Sequence, residues 1–360
     1  MLSFFAFGQE HSDTAVDVHS TQDTIIADEA VKEGQREFIA HHLKDAHDFT
    51  FFTYTDDEGE EVYVGFPLPI ILIDKEDGLK VFMSSKFHHE TDVAEAGGSF
   101  FKVVHGKIYK TDETGIINYD EHGHPTNYMP LDFSITKDTT TMLLVAVLMF
   151  FLFTNLAKSY KTNNAIPKGV GRFFAPIILY IRDEIAIPNI GEKHYKKYMS
   201  FLLTVFFFVW FLNLFGLTPM GVNITGNITV TLALALMTFF ITTFTANKNY
   251  WGHIFWMPGI PKIMRIVLAP IEVLGMFIKP FALMIRLYAN MVAGHVVLMS
   301  LFALIFFAEN LIGKSLSFGL AFGLSILELL VAILQAYIFT MLSSLYFGAA
   351  VMEHDDHDDH

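Results

Sequence analysis

The sequence predicts a mostly α-helical membrane protein with about five membrane-embedded helices, the last two a long tilted hairpin, preceded by a small β-rich extramembrane domain. Three observations lead there. Of the 360 residues, 52% are hydrophobic and 15% aromatic, a composition typical of membrane chains. The charge is unevenly divided, for residues 1–138 carry 27 acidic and 10 basic side chains, whereas residues 139–360 carry 11 and 14. Apolar runs of membrane length begin only after that boundary, while the stretch before it holds short β-like runs separated by turn signals. The lack of cysteine excludes a disulfide framework, thiolate catalysis and cysteine metal sites, and no basic patch suits nucleic acid.

The chain opens on Met1-Leu-Ser-Phe-Phe-Ala-Phe-Gly8, which reads either as the remnant of a signal peptide or as a disordered end. Residues 1–49 are polar and acidic, with His11, His19, His41, His42 and His47 scattered among carboxylates, and read as a flexible segment. Residues 50–138 read as a small antiparallel β domain. Its strands are Glu61-Val-Tyr-Val-Gly-Phe, Ile70-Ile-Leu-Ile-Asp, Leu79-Lys-Val-Phe-Met, Phe100-Phe-Lys-Val-Val and Lys107-Ile-Tyr-Lys, separated by Asp/Glu/Gly turns. The pair His122 and His124 reads as a turn rather than a metal site.

Residues 139–352 form the membrane part. Thr140 to Ala157 is the first span, and Lys158, Lys161, Lys168, Arg172, Arg182, Lys193, Lys196 and Lys197 crowd the loop after it. The positive-inside rule makes that loop cytoplasmic and the β domain extracytoplasmic. The next spans are Phe201 to Leu217 and Asn227 to Ala246, with Trp251 and Trp256 as interfacial anchors. Two segments, Arg265 to Ala308 and Ser315 to Ala350, would measure roughly 65 Å and 54 Å as helices, too long for one upright crossing of a core of about 30 Å. They read as a tilted hairpin turning at Glu309 to Lys314, with an acidic His-rich tail, 353–360, on the cytoplasmic side.

The chemistry concentrates in that hairpin. Arg286 lies about 20 residues from either end of its apolar run, where a charge is costly and faces a partner or water. At about 100° per residue, Glu272, Gly275, Lys279, Ala282, Asn290 and Ala293 share its stripe, whereas His295 projects to the opposite face. Glu328 and Gln335 share a face of the second helix, and Ser325 and Ser343 extend it. Asn213 of the second span, and Asn227, Thr231, Thr238, Thr242 and Thr245 of the third, are candidates to line a wet cavity. The commoner role of such a hydroxyl stripe is interhelical hydrogen bonding. A static Glu328–His295 pair is the plain alternative to a proton relay between them.

The run Arg286-Leu-Tyr-Ala-Asn290-Met-Val-Ala-Gly294-His295 resembles the signature of subunit a of F-type ATP synthases. Pro270-Ile-Glu272, Lys279-Pro280, Asn213-Leu-Phe-Gly-Leu-Thr-Pro219, the Lys197-Tyr-Met-Ser-Phe segment and Leu334-Gln335-Ala-Tyr-Ile-Phe339 look like the same family, over residues from about 140 to 350. In many bacterial members the acid and the histidine occupy the positions of His295 and Glu328 in reverse order. The resemblance implies a proton-translocating stator subunit in a bacterial inner membrane, beside a ring of c subunits, peripheral-stalk b subunits, the rest of the complex and membrane lipids. Arg286 would face the ring carboxylates. Glu328 and His295 would relay protons, and Gln335, Asn290 and Glu272 would shape two half-channels. Such a subunit is non-catalytic, and no Walker-type loop, cofactor site or metal site is expected in this chain. The rivals are an ion-coupled secondary transporter with an external sensing domain, which should show two related halves, and a membrane-anchored binding module. The N-terminal 135 residues depart from the family pattern.

Overall fold

The computed structural model describes residues 45–55, 61–88, 92–162, 169, 171–218, 222–256, 261–307 and 310–352. The expectations for 1–8, for most of 1–49 and for 353–360 lie outside the described residues.

The β part contains eight strands, all paired antiparallel. β1 (Asp48–Thr55) pairs with β2 (Glu61–Pro67). β3 (Pro69–Asp74) lies between β4 (Gly78–Met83) and β8 (Leu131–Asp132), while β6 (Ser99–Val104) lies between β5 (Ala94–Ala96) and β7 (Lys107–Thr111). The five expected strands are present, and β1, β5 and β8 add to them. Alternation places Ile70, Leu72, Phe82, Phe101, Val103 and Ile108 in one small core. An ion cluster at the surface, with only Asp74 buried, ties the sheets together, because Lys110 Nζ reaches Asp74 Oδ2 at 2.8 Å, Asp77 Oδ2 at 3.0 Å and Glu76 Oε2 at 3.1 Å. Burial alone would raise the Asp74 carboxyl, but Lys110 and the Glu76 amide outweigh it and hold the group below its ordinary value. Asp120 Oδ1 accepts from the amides of His122 (2.9 Å) and His124 (2.8 Å), so that histidine pair sits on a tight turn, as expected.

Helix α1 (Lys137–Thr162) follows directly. Next come α2 (Gly171–Tyr180), a π-helical turn (Ile181–Ala186) and α3 (Ile187–Ile190). The basic connection is therefore partly helical rather than a plain loop. Helix α4 (Tyr195–Gly216) begins six residues earlier than the expected span at Phe201, and α5 (Ile228–Thr245) and the short α6 (Lys248–Phe255) follow. Helices α7 (Lys262–Phe307, 46 residues) and α8 (Leu311–Val351, 41 residues) are each unbroken, α7 through both Pro270 and Pro280. The turn between them is shorter than the expected Glu309 to Lys314, because Leu311 already belongs to α8, with Asn310 in extended conformation before it. Among the described residues, α1, α4, α5, α7 and α8 are long and apolar enough to cross a membrane. One apolar core, including Val145, Phe174, Phe207, Leu212, Leu234, Leu287 and Phe339, joins the five long helices and α2.

Candidate functional site

Helix α7 separates its polar residues into two groups. Arg286, Asn290, Ala282 and Ala293 are exposed on the outer surface, and Gly275, Lys279 and Glu272 are half-buried beside them. The expected stripe is therefore a real surface of small and polar residues. Arg286 makes no ion pair among the described residues. His295, on the other face, is buried.

The buried histidine meets the end of α4. Its Nε2 lies 3.0 Å from the carbonyl of Gly216, the last residue of that helix. A carbonyl can only accept, so Nε2 carries the hydrogen and satisfies one of the orphan oxygens of a helix C-terminus. The neutral ring is left with its acceptor lone pair on Nδ1. That atom is buried without a hydrogen-bond partner, and so is Glu328 Oε2. The acid belongs to α8, buried with Gln335, and its carboxyl lies over Gly294, the residue next to the histidine. The glycine leaves room for that carboxyl, for a Cβ on it would overlap Glu328 Oε1. Among the described residues the two side chains are both buried on the paired helices α7 and α8 and share no hydrogen bond.

A series of polar contacts runs from the Ala332 carbonyl of α8 toward the β domain. Asn213 is buried on α4, where its Nδ2 donates to the Ala332 carbonyl (3.4 Å), between Glu328 and Gln335 along α8. Thr225 Oγ1 donates to Asn213 Oδ1 (2.8 Å) from the 3-10 turn Ile224–Gly226, and Asn227 ends that turn by capping α5. Asn227 Nδ2 donates to Asp138 Oδ2 (3.4 Å), whose own amide donates to Asp45 Oδ1 (3.1 Å). Desolvation raises the Asp45 carboxyl above its ordinary value, although the Asp138 amide and Thr136 oppose it. Sequence reasoning named Asn213 and Asn227 but missed Thr225, Asp138 and Asp45.

Thr231, Thr238 and Thr242 are buried, and each hydroxyl donates to a carbonyl of its own helix. Ser325 is half-buried and bonds to the Ala321 carbonyl in the same way. Thr238 and Thr242 border a cavity of about 20 Å³ with Lys279 and Tyr346, room for about one water. A larger cavity of about 250 Å³ opens beside it, lined by Tyr250, His253, Glu272, Lys279 and Met352. Tyr250 and His253 had not been foreseen, since α6 read only as an interfacial anchor. Among the described residues no cluster of three or more His, Asp or Glu side chains could hold a metal ion.

Among the described residues, five membrane-length helices, with an acid, an imidazole and an amide buried on the last two and an exposed cation on one of them, define a multi-pass membrane protein. A family model described as ATP synthase A chain matches residues 139–348. The chain belongs to that family. It is similar to ATP synthase subunit a 2 of Chlorobaculum tepidum, 44% identical over 237 residues that span 64% of this chain and 66% of that protein. ATP synthase subunit a of Myxococcus xanthus is 42% identical over 64% of this chain and 77% of its own length. The Chloroherpeton thalassium protein of the same name is 37% identical over 78% and 89%. Residues 38–133 match a second family, described as Domain of unknown function (DUF8433).

Proposed function

We propose that this chain is the proton-translocating stator subunit of a bacterial rotary ATP synthase, with two offset half-channels on either side of Arg286. One observation carries the reading: α7 turns Arg286 outward on a surface of small residues and His295 inward, so a fixed charge and an imidazole occupy opposite faces of one helix. The larger cavity reaches Lys279, about 10 Å before Arg286 along α7, and the polar contacts from Asp138 reach Asn213 and the Ala332 carbonyl, one helical turn past Glu328 on α8. Ions moving through these two regions must transfer to something that travels between them. A ring of c subunits bearing membrane carboxylates fits that role, and b subunits would hold the stator still.

Arg286 favours the ionised form of each passing carboxylate, so the proton leaves into one half-channel and cannot cross directly. At about 4 Å and an effective dielectric near 20, the attraction is about 4 kcal/mol, or roughly three pKa units. On the other side, Glu328 and His295 Nδ1 pass protons through bridging water, with Gln335 and Asn213 fixing the path. A proton crossing 100 mV supplies about 2.3 kcal/mol, so several must be coupled to each ATP. The crowded Lys/Arg connection from 158 to 197 supports a cytoplasmic α1–α4 side and an extracytoplasmic β domain.

The deciding experiment is proton uptake and ATP synthesis by the whole complex in vesicles. Arg286→Ala should assemble, because the small-residue surface is kept, yet lose coupled synthesis. Near-normal synthesis by that variant would remove the reading.

A further inference from the structure

The sheet β4-β3-β8 is apolar on both faces, and the core uses only one. Ile70, Leu72 and Phe82 point into the β domain. On the other face the register aligns Met83 with Pro69, Val81 with Ile71, and Leu79 with Ile73 and Leu131. Phe133 completes the middle row, its amide donating to the Ile71 carbonyl at 2.9 Å. Ile73, Leu79, Val81, Met83, Leu131 and Phe133 are each between 40% and 64% exposed, and in these strand registers no charged residue shares their rows. An antiparallel sheet with one free face ordinarily turns polar residues outward. A contiguous apolar surface on the order of several hundred Å² marks a contact site.

We infer that this face lies on the lipid bilayer into which α1 inserts, anchoring the β domain flat against the membrane. The sheet cannot stand far from that surface. Phe133 is four residues from Lys137, a reach of at most about 14 Å. The connection is also pinned, for Ile135 N donates to Pro69 O (3.1 Å), Ile71 N to Ser134 Oγ (3.1 Å) and Lys137 N to Ala46 O (3.0 Å). The edge strand therefore runs into the spanning helix without a free hinge, and the exposed Leu143, Leu144 and Val147 of α1 continue the apolar surface into the lipid. A second copy of this face is a poorer occupant, since residues 1–138 are strongly acidic and two such domains repel. Contact through uncharged side chains should also be insensitive to salt. The inference goes beyond the ion path and does not rest on it.

The absence of native cysteine allows a direct test. Nitroxide labels are placed in the full chain, one at a time, by Leu79→Cys, Val81→Cys, Leu131→Cys and, at an exposed site away from this face, Glu113→Cys. The complex is reconstituted in zwitterionic phosphatidylcholine vesicles, whose surface does not repel the acidic domain, and each label's collisions with oxygen, which dissolves in lipid, and with a water-soluble nickel chelate are measured. The three sheet labels should favour oxygen over nickel at least fivefold relative to position 113, in low salt and in 0.5 M salt alike (~4 Å screening length at the higher value). Equal access of nickel to all four labels would show a water-exposed face and overturn the inference. Exclusion of both relaxants from the sheet labels would show a protein cover, either a second copy or another segment, and would overturn it equally.

Discussion

Alanine in place of Gly294 separates the stability of the hairpin from the chemistry it holds. An added Cβ would overlap Glu328 Oε1 and approach Cδ at 3.3 Å and Cγ at 3.5 Å. The carboxyl, not the backbone, is what must yield. Its last torsion is broad, so a swing of roughly 1 Å at the oxygens costs little energy. In a helix interior alanine is also favoured over glycine by about 0.5–1 kcal/mol, so the folded complex should be no less stable. Proton transfer is far more sensitive, since misplacing a reacting group by 1 Å can cost up to about 100-fold, or roughly 2.7 kcal/mol of barrier. Gly294→Ala should therefore assemble at normal thermal stability while proton uptake falls by one to two orders of magnitude. Gly319→Ala is the control, because a Cβ there meets nothing within 4 Å and gains the same helix propensity. Equal proton uptake by the two variants would show that the position of Glu328 is immaterial to transport.

The exchange His295→Glu with Glu328→His should retain part of the flux that either single alanine variant loses, measured as acidification of inverted vesicles. Normal pumping by one of those alanine variants would dismiss the relay. Asp138→Asn keeps the neighbouring geometry of Asn227 but removes a titrating group, and should slow proton uptake while leaving ATP hydrolysis by the detached soluble sector unchanged; no effect would detach Asp138 from the path. For topology, single cysteines at Ser85 and Met352 should react with an impermeant thiol reagent in intact cells only at Ser85. In the β domain, Lys110→Met strands the buried Asp74 carboxylate and should lower that domain's stability by about 3 kcal/mol in denaturant titrations. The wild-type cluster has a lowered Asp74 and a raised Lys110, so its stabilisation is present from about pH 4 to pH 10.5. It should fade below that window as Asp74 protonates and above it as Lys110 deprotonates. A melting temperature that declines steadily between pH 5 and pH 9 would contradict this.

The helices were legible wherever one physical rule dominated. Its depth, about 20 residues from either end of a long apolar run, singled out Arg286, and a seven-residue spacing placed Glu328 and Gln335 on one face that the structure buries. Two runs without a central polar break became two unbroken helices. The connection after α1 was less legible, because its lysines signal a cytoplasmic side, whereas Phe174, Ile181 and Ile185, which bury it against the bundle, are spread across a proline and a π-helical turn. Asp138 was hidden for a different reason. An acid at the start of a helix is already explained by the helix dipole, and nothing local shows that its partner is Asn227, 89 residues away. Strand β8, two residues long, has a pattern too short to read until Leu131 and Asp132 are seen beside β3.

The division of polar groups on α7 also shows what the chain leaves unfinished. Glu328 is an acid on the helix packed against α7, and it could have faced Arg286. Instead its carboxyl lies over Gly294, next to His295, on the inward side. Arg286 is left outward, in the middle of a 46-residue apolar helix. Left in lipid, a charge at that depth costs at least about 2.5–3.5 kcal/mol, and the exposed small residues Ala282 and Ala293 would leave a shallow trough beside it. Both costs disappear against a second helix that fits the trough and carries a carboxylate at the level of the guanidinium. The acid inside the chain is then free to handle protons, since it is not held as a permanent counter-ion. An arginine paired within its own chain would be a structural salt bridge; turned outward, it is left open to the carboxylates that the proposed function sets before it.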